Sequence, residues 1–241
     1  MRTLSLTLVA ILALTLSACS FYIPMPQTIL GSGKLTTKNF EFADFQSVDV
    51  GSTFQADVSQ SDTFSVSITA DDNLFDYIKV DKSGSKLSIR FDYRGGYTRG
   101  TLKAKITMPT LEALRISGAS TGNVSEFKLS KPATLDASGA STLIGSFVAD
   151  RIDVHVSGAS KANLQGNANA ADLKADGAST LNLNDFSLDS ASVSLSGASN
   201  ARISVKSKLD YNLSGASHLT YDGNPTIGRS SSSGASSVAK K

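Results

Sequence analysis

One four-residue phrase recurs through the second half of the chain and limits what that half can fold into. Ser117-Gly118-Ala119-Ser120 returns with its glycine at 139, 158, 177, 197, 215 and 234, and Asp176 once replaces the first serine. Successive glycines are 21, 19, 19, 20, 18 and 19 residues apart. A period of this length marks an architecture in which each repeat packs only on its neighbours.

Numbered from its glycine, each repeat alternates. Four residues before it stand Leu114, Leu135, Val154, Leu173, Val193, Tyr211 and finally Ser230. Two before it stand Ile116, Ala137, Val156, Ala175, Leu195, Leu213 and Ser232. Small and large apolar residues also fill the positions four and six after it, and the intervening positions are mostly Ser, Thr, Asp, Asn, Lys or His. That is strand periodicity, with side chains pointing alternately to two faces. About 19 residues is too short for a strand and a well-packed helix outside the leucine-rich repeats, and no leucine-rich consensus is present. The spacing predicts an all-β parallel solenoid of about 19-residue coils, stacked ~4.8 Å apart into a rod of roughly 30–35 Å. Glycine suits a corner, Ala can sit over the next Ala, and Ser can bond along a ladder or to corner backbone. The spacing leaves open whether the strand bends at the glycine. Loss of the apolar pair at Ser230 and Ser232, with Lys240-Lys241 closing the chain, predicts a polar terminal coil that resists edge-to-edge pairing.

The first residues are of another kind. Arg2 precedes an apolar run, Leu4 to Leu16, too short to span a bilayer comfortably. The run ends in Leu16-Ser17-Ala18-Cys19, which resembles the bacterial lipoprotein lipobox. The resemblance implies a signal peptide over 1–18, removed before a lipidated Cys19. It also implies a membrane anchor of several acyl chains. Cys19 is the single cysteine, so the mature chain has no disulfide partner for it. Ser20-Phe21 carries no Asp at the second position, which by resemblance to the enteric sorting rule implies the outer membrane. Residues 19–39, with Pro24, Pro26, Gly31 and Gly33, read as a tether.

Residues 40–109 alternate at Val48/Val50, Phe54/Ala56/Val58, Phe64/Val66/Ile68, Leu87/Ile89/Phe91 and Leu102/Ala104/Ile106. They read as an N-terminal β region of half-buried strands, continuous with the solenoid over 110–241. Asp71 to Tyr77 reads as a short helical turn, Lys82-Ser83-Gly84-Ser85 as a hairpin turn, and Tyr93 to Gly100 as an exposed loop. The segment Ile68-Thr69-Ala70-Asp71-Asp72-Asn73-Leu74 looks like the family described as "putative auto-transporter adhesin, head GIN domain". So do Ser85-Lys86-Leu87-Ser88-Ile89 and Met108-Pro109-Thr110-Leu111-Glu112-Ala113-Leu114 running into the repeats. The resemblance spans roughly Phe40 to Tyr221. It implies exported bacterial proteins, often lipoproteins, whose β region runs into a right-handed parallel solenoid. It brings no catalytic residues to carry over.

Composition narrows the function classes. A net charge of +2, with Lys and Arg dispersed among Asp, gives no basic footprint for nucleic acid. The tetrapeptide lacks the Gly-x-Ser-x-Gly elbow of a hydrolase nucleophile and the Lys of a phosphate loop. Asp153 and Asp172 occupy the same position in adjacent coils, about 5 Å apart on the predicted stacking. They could share a cation, or form a solvated stripe screened by Arg151, Lys174 and Lys208. Tyr93, Arg94, Tyr97 and Arg99 make the Tyr93–Gly100 loop the candidate recognition site, since Tyr stacks on sugars and Arg pairs with anions. Stacked hydroxyls one before and two and three after each glycine form a second candidate face. No cofactor is implied, and the oligomeric state is not legible. The leading reading is a lipid-anchored, non-enzymatic envelope protein, adhesin-like, with a glycan or protein ligand. A carbohydrate-active enzyme on a β-helix and a structural or stress-related lipoprotein are the alternatives.

Overall fold

A computed structural model describes residues 27–241. Cys19 and the apolar run before it lie outside the described residues. Two long parallel ladders run the length of the protein in about six turns, with coils about 20 residues apart. One ladder carries the residues before each corner: Ala113–Ile116, Ala133–Ala137, the later halves of Thr142–Val156, Lys161–Ala175, Thr180–Leu195 and Asn200–Leu213, and Thr226–Ser232. The other carries the residues after it: Thr121–Leu129, the earlier halves of the same long strands, His218–Asp222 and Ser237–Lys240. Leu114, Leu135, Val154, Leu173, Val193 and Tyr211 are in register, as the spacing predicts.

The chain does bend at the tetrapeptide. All seven glycines are left-handed, with φ between 64° at Gly118 and 80° at Gly139. The neighbouring coil adds a second demand. A Cβ on Gly177 would stand 2.5 Å from the carbonyl oxygen of Gly158. That oxygen is occupied, because Ala178 donates its N–H to it at 2.7 Å. Similar Ala-to-Gly bonds join the later corners. The last serine turns inward: Ser160, Ser179, Ser199 and Ser217 are wholly buried. Its hydroxyl donates back to the carbonyl of the first residue, at 2.8 Å from Ser141 to Ser138, 2.7 Å from Ser179 to Asp176 and 2.7 Å from Ser199 to Ser196. The turn would otherwise leave a part-buried carbonyl without this donor, and a hydrogen bond of this kind contributes about 0.5–1.5 kcal/mol. Since the acceptor is backbone, Asp176 can replace Ser at the first position.

The two sides of each corner fill the core reciprocally. Ile116 precedes a corner that Gly122 follows, and a Cβ on Gly122 would stand 2.7 Å from Ile116 Cδ1. The next coils pair Ala137 with Leu143, Val156 with Ala162, Ala175 with Leu181 and Leu195 with Ala201, all buried. Large meets small across these corners, and large sits over small on either side of them as far as Leu195 and Ala201; the next coil departs from this, with Leu213 stacked on Leu195. Further along each coil the alternation breaks where two successive residues turn outward: Asp150-Arg151, Asn169-Ala170 and Asp189-Ser190. Asn169 Nδ2 donates to Asp150 Oδ1 at 2.7 Å, and Ser190 Oγ to the Asn169 carbonyl at 3.1 Å, so these bends also bond to one another.

The N-terminal region departs from the expected layout in three ways. The solenoid does not begin at 110, because Ser47–Val50 and Gln55–Gln60 are already a coil on both ladders. Its corner hides from a search for the motif: Ser52 and Thr53 hold φ of 61° and 68° after Gly51. Stacking also breaks sequence order. Lys86–Phe91 and Leu102–Met108 form the outermost coil, placed beyond 47–60, which is therefore sandwiched between later residues. Antiparallel strands cover that outer coil, Ile78–Ser83 on one ladder and Ser65–Asp71 on the other, with the 3-10 turn Asp72–Tyr77 burying Leu74 and Phe75. Finally, the tether is shorter than 19–39. Leu35–Phe40 is a strand paired antiparallel with Ser65–Asp71. It is an outer strand with only Thr36 and Phe40 half-covered, so it lacks the apolar alternation that marks a buried strand.

The incoming chain is fastened by a buried carboxylate. Asp71 is 1% exposed; its Oδ1 accepts from Gly33 N at 2.6 Å and its Oδ2 from Thr101 N at 2.7 Å. Asn73 holds the Leu30 carbonyl and the Ser32 N–H at 2.8 and 3.0 Å. Ile29–Leu30 adds a short parallel pairing with Tyr97–Thr98.

Two outcomes are expected in denaturant titrations of the full chain. Ala175→Leu loses about 1–3 kcal/mol by overpacking and Leu181→Ala about 2–5 kcal/mol by cavity formation. The double exchange recovers at least half of the summed loss, whereas additive losses would refute the reciprocal packing. Asp71→Ala removes the acceptor of two part-buried N–H donors and costs about 1–3 kcal/mol. Asp71→Asn, which keeps one acceptor, costs less.

Candidate functional site

The loop singled out in sequence is divided between two tasks. Tyr93 and Tyr97 are half-buried. The Tyr93 ring packs 4.8 Å from that of Tyr77, and Tyr97 meets Phe91 edge-on at 5.2 Å. Tyr97 Oη also lies 2.9 Å from Thr53 Oγ1, joining the loop to the next corner. The incoming chain presses on the loop so closely that a Cβ on Gly95 would overlap the Gln27 carbonyl. Both rings therefore build the closed end of the rod. Arg94 and Arg99 are exposed and remain available to a ligand.

Asp153 and Asp172 are direct partners on the pre-corner ladder, and Asp172 is followed by Ser192 and Asp210. Each carboxylate has a cation two residues away on its own strand: Arg151 at 2.8 Å from Asp153, Lys174 at 3.5 Å from Asp172, and Lys208 at 3.2 Å from Asp210. Residues two apart on a strand share a face, so the pairing follows from strand geometry. His155 stands in the adjacent row, its Nε2 2.9 Å from Asp176 and its Nδ1 3.6 Å from Asp136. Asp210 has a further task. Its Oδ1 accepts the Arg229 N–H at 2.8 Å where the last coil skips register. That backbone bond, with Lys208 and Arg229 close by, holds its carboxyl below the usual carboxylate range. Among the described residues, no three His, Cys, Asp or Glu side chains gather closely enough to hold a metal ion.

The expected hydroxyl face is thinner than the repeats suggest. The second serine is inside in every motif but the last, where Ser236 is half-buried, and Thr121, Thr142 and Thr180 are half-buried too. The surface that stands out lies on the post-corner ladder. There an open groove of 770 Å³ is lined by Ser59, Ser61, Asp62, Ser125, Lys128 and Ser146, with Phe127 and Phe147 beneath. Val148 and Ile144 stand beside it, 44% and 47% exposed. Asn123, Ile144, Asn163 and Asn182 form one outward row next to it. Its trace in the sequence is faint. Within the repeats, Leu143-Ile144 and Phe147-Val148 are the places where two large apolar residues are adjacent on a strand, so one of each must face out. Among the described residues no helix is long and apolar enough to cross a membrane.

Solved structures share this architecture. A "putative adhesin" from Bacteroides fragilis NCTC 9343 superposes with a TM-score of 0.76 at 21% identity, over 88% of this chain and 100% of that one. A "Putative lipid binding protein" from Parabacteroides distasonis ATCC 8503 gives 0.73 at 21% identity, over 89% and 100%. A "putative adhesin" from Parabacteroides merdae ATCC 43184 gives 0.67 at 20% identity, over 89% and 99%. At these identities the likeness is one of fold. No curated protein matches the sequence. The sequence model of one family covers residues 44–225, from just before the sandwiched coil to the start of the last one, and the chain belongs to that family, described as "Putative auto-transporter adhesin, head GIN domain".

Proposed function

We propose that the protein is a non-enzymatic, adhesin-like interaction module, anchored by lipid at Cys19 to the outer membrane of the bacterial envelope. The observation that carries this reading is where the repeated residues go. The motif's glycines and inward serines are consumed in the corners, through φ, close backbone approach and hydroxyl-to-carbonyl bonds. What reaches solvent is the set of outward side chains, which differ from coil to coil along a rigid rod. Such a surface suits recognition of an extended partner. The family description and the names of the structural neighbours support an adhesin-like role. The lipobox at Cys19 supplies the anchor, and the pairing of Asp153 and Asp172 with cations on their own strands favours a solvated stripe over a metal site there.

The anchor and the orientation are tested together. Radiolabelled palmitate is expected to enter the wild-type protein, and Cys19→Ser to abolish labelling and release the protein from membranes. Protease added to intact cells is expected to degrade the domain. Full protection on intact cells, with digestion after outer-membrane permeabilisation, would remove adhesion to external partners. Turnover of a polysaccharide by the purified protein would favour the enzymatic alternative instead.

A further inference from the structure

We propose that the groove beside Val148 and Ile144 binds a neutral oligosaccharide; this rests on the interaction reading above and names its site and ligand class. Two irregularities create the groove. Parallel pairing between Gln55–Gln60 and Thr121–Leu129 stops at Ser59 and Ser125. Beyond that point the Gln60 side chain replaces the ladder. Its Oε1 accepts from Lys128 N at 2.9 Å, and its Nε2 donates to the Pro109 and Lys128 carbonyls at 2.8 and 3.2 Å. On the other edge, Thr121–Leu129 skips register with Thr142–Val156 between Val124 and Phe127. The strands part over a floor of Phe127 and Phe147, and the opening falls within the usual size range of ligand sites.

The chemistry of the walls selects the occupant. Ser hydroxyls line the groove, and amide side chains make the row beside it; both donate and accept hydrogen bonds. That matches sugar hydroxyls, which do the same. Val148 and Ile144 are the exposed large apolar residues of the middle of the rod, since Leu30, Leu35 and Ile227 lie towards its ends. An aliphatic platform beside hydroxyl and amide groups fits the C–H face and polar edge of a pyranose ring. Among the described lining residues the charged ones, Asp62 and Lys128, are opposite in sign, and so present no basic patch to an anionic glycan, a nucleic acid or an acidic lipid surface. It also lacks the exposed Trp, Tyr and Arg anchors of a protein hot spot. Among the described residues lining the groove Asp62 is the one carboxylate, whereas glycoside hydrolysis generally uses a pair, which favours holding the sugar over cutting it.

The test is a printed array of neutral, acidic and sulfated oligosaccharides probed with the full chain in detergent. The best neutral binder is then titrated by calorimetry. Neutral glycans are expected to bind. Ser146→Tyr, which fills the groove, and Val148→Asp, which removes the platform, are expected to weaken binding at least tenfold with unchanged circular dichroism melts. Ser194→Tyr on the other ladder should leave it unaltered. Binding restricted to acidic glycans, or neutral binding untouched by both groove variants, overturns the assignment. If the array is empty while the protein still captures cells or a protein ligand, the glycan assignment falls and the interaction reading survives. If cell and protein binding are absent too, both fall.

Discussion

The fold depends on the way one corner hands a hydrogen bond to the next. From Gly139 to Gly215 the glycine carbonyl of one turn receives the alanine N–H of the following coil, while at Ser141, Ser179, Ser199 and Ser217 the inward serine satisfies the carbonyl that opened its own turn. The bond from alanine to glycine needs the backbones of adjacent coils in close contact, which is why a side chain at the glycine has nowhere to go. Ladder hydrogen bonds alone would hold two strands together. The corner bond fixes where each coil turns, and so keeps equivalent residues in register from Leu114 to Tyr211. Once register is fixed, the exchange of large and small residues across the corner becomes possible, because each side chain always meets the same neighbours.

Much of this was legible because strand periodicity and a glycine period speak about the same residues. Alternation located the ladders, and the glycine spacing located the turns. Legibility failed where a side chain has a task that its position in the alternation does not reveal. Alternation would place the corner glycines inward with the serines, but φ turns the chain so that only the serines enter. Leu35–Phe40 has no apolar alternation because it covers another strand from outside. The corner at Ser52 and Thr53 achieves positive φ without a glycine at either position, so no motif announces it. The two tyrosines of the Tyr93–Gly100 loop looked like ligand contacts because aromatic residues in glycine-rich loops often are. Here they pack under the incoming chain, and Gly95 and Gly100 let the chains approach. The groove required two register breaks to coincide on adjacent strands, which no single strand records.

The outward surface follows a simple electrostatic rule. Residues two apart on a strand point the same way, so Arg151 with Asp153, Lys174 with Asp172 and Lys208 with Asp210 neutralise locally. Exposed pairs of this kind add little stability. Their effect is to stop like charges from accumulating along a ladder, where every coil repeats the position about 5 Å further on. A rod built from repeats must vary its surface deliberately if it is to avoid a stripe of one sign. The same freedom allows one coil to carry Ile144 and Val148 while its neighbours carry Asn and Lys.

The out-of-order coil has a bearing on how the chain reaches its native state. Residues 47–60 are made before either of the segments that flank them, 86–108 and 113–125. A chain emerging from its N-terminus therefore cannot complete this end by simple winding. From residue 133 onwards each coil finds its partner only about 20 residues away, which favours rapid local closure. The repeats are thus free to assemble as a self-propagating stack, while the capped end must close around a strand that has been waiting for both neighbours. On this topology the slow, committing step of folding falls at the capped N-terminal end of the rod, in the part of the chain that the repeats do not describe.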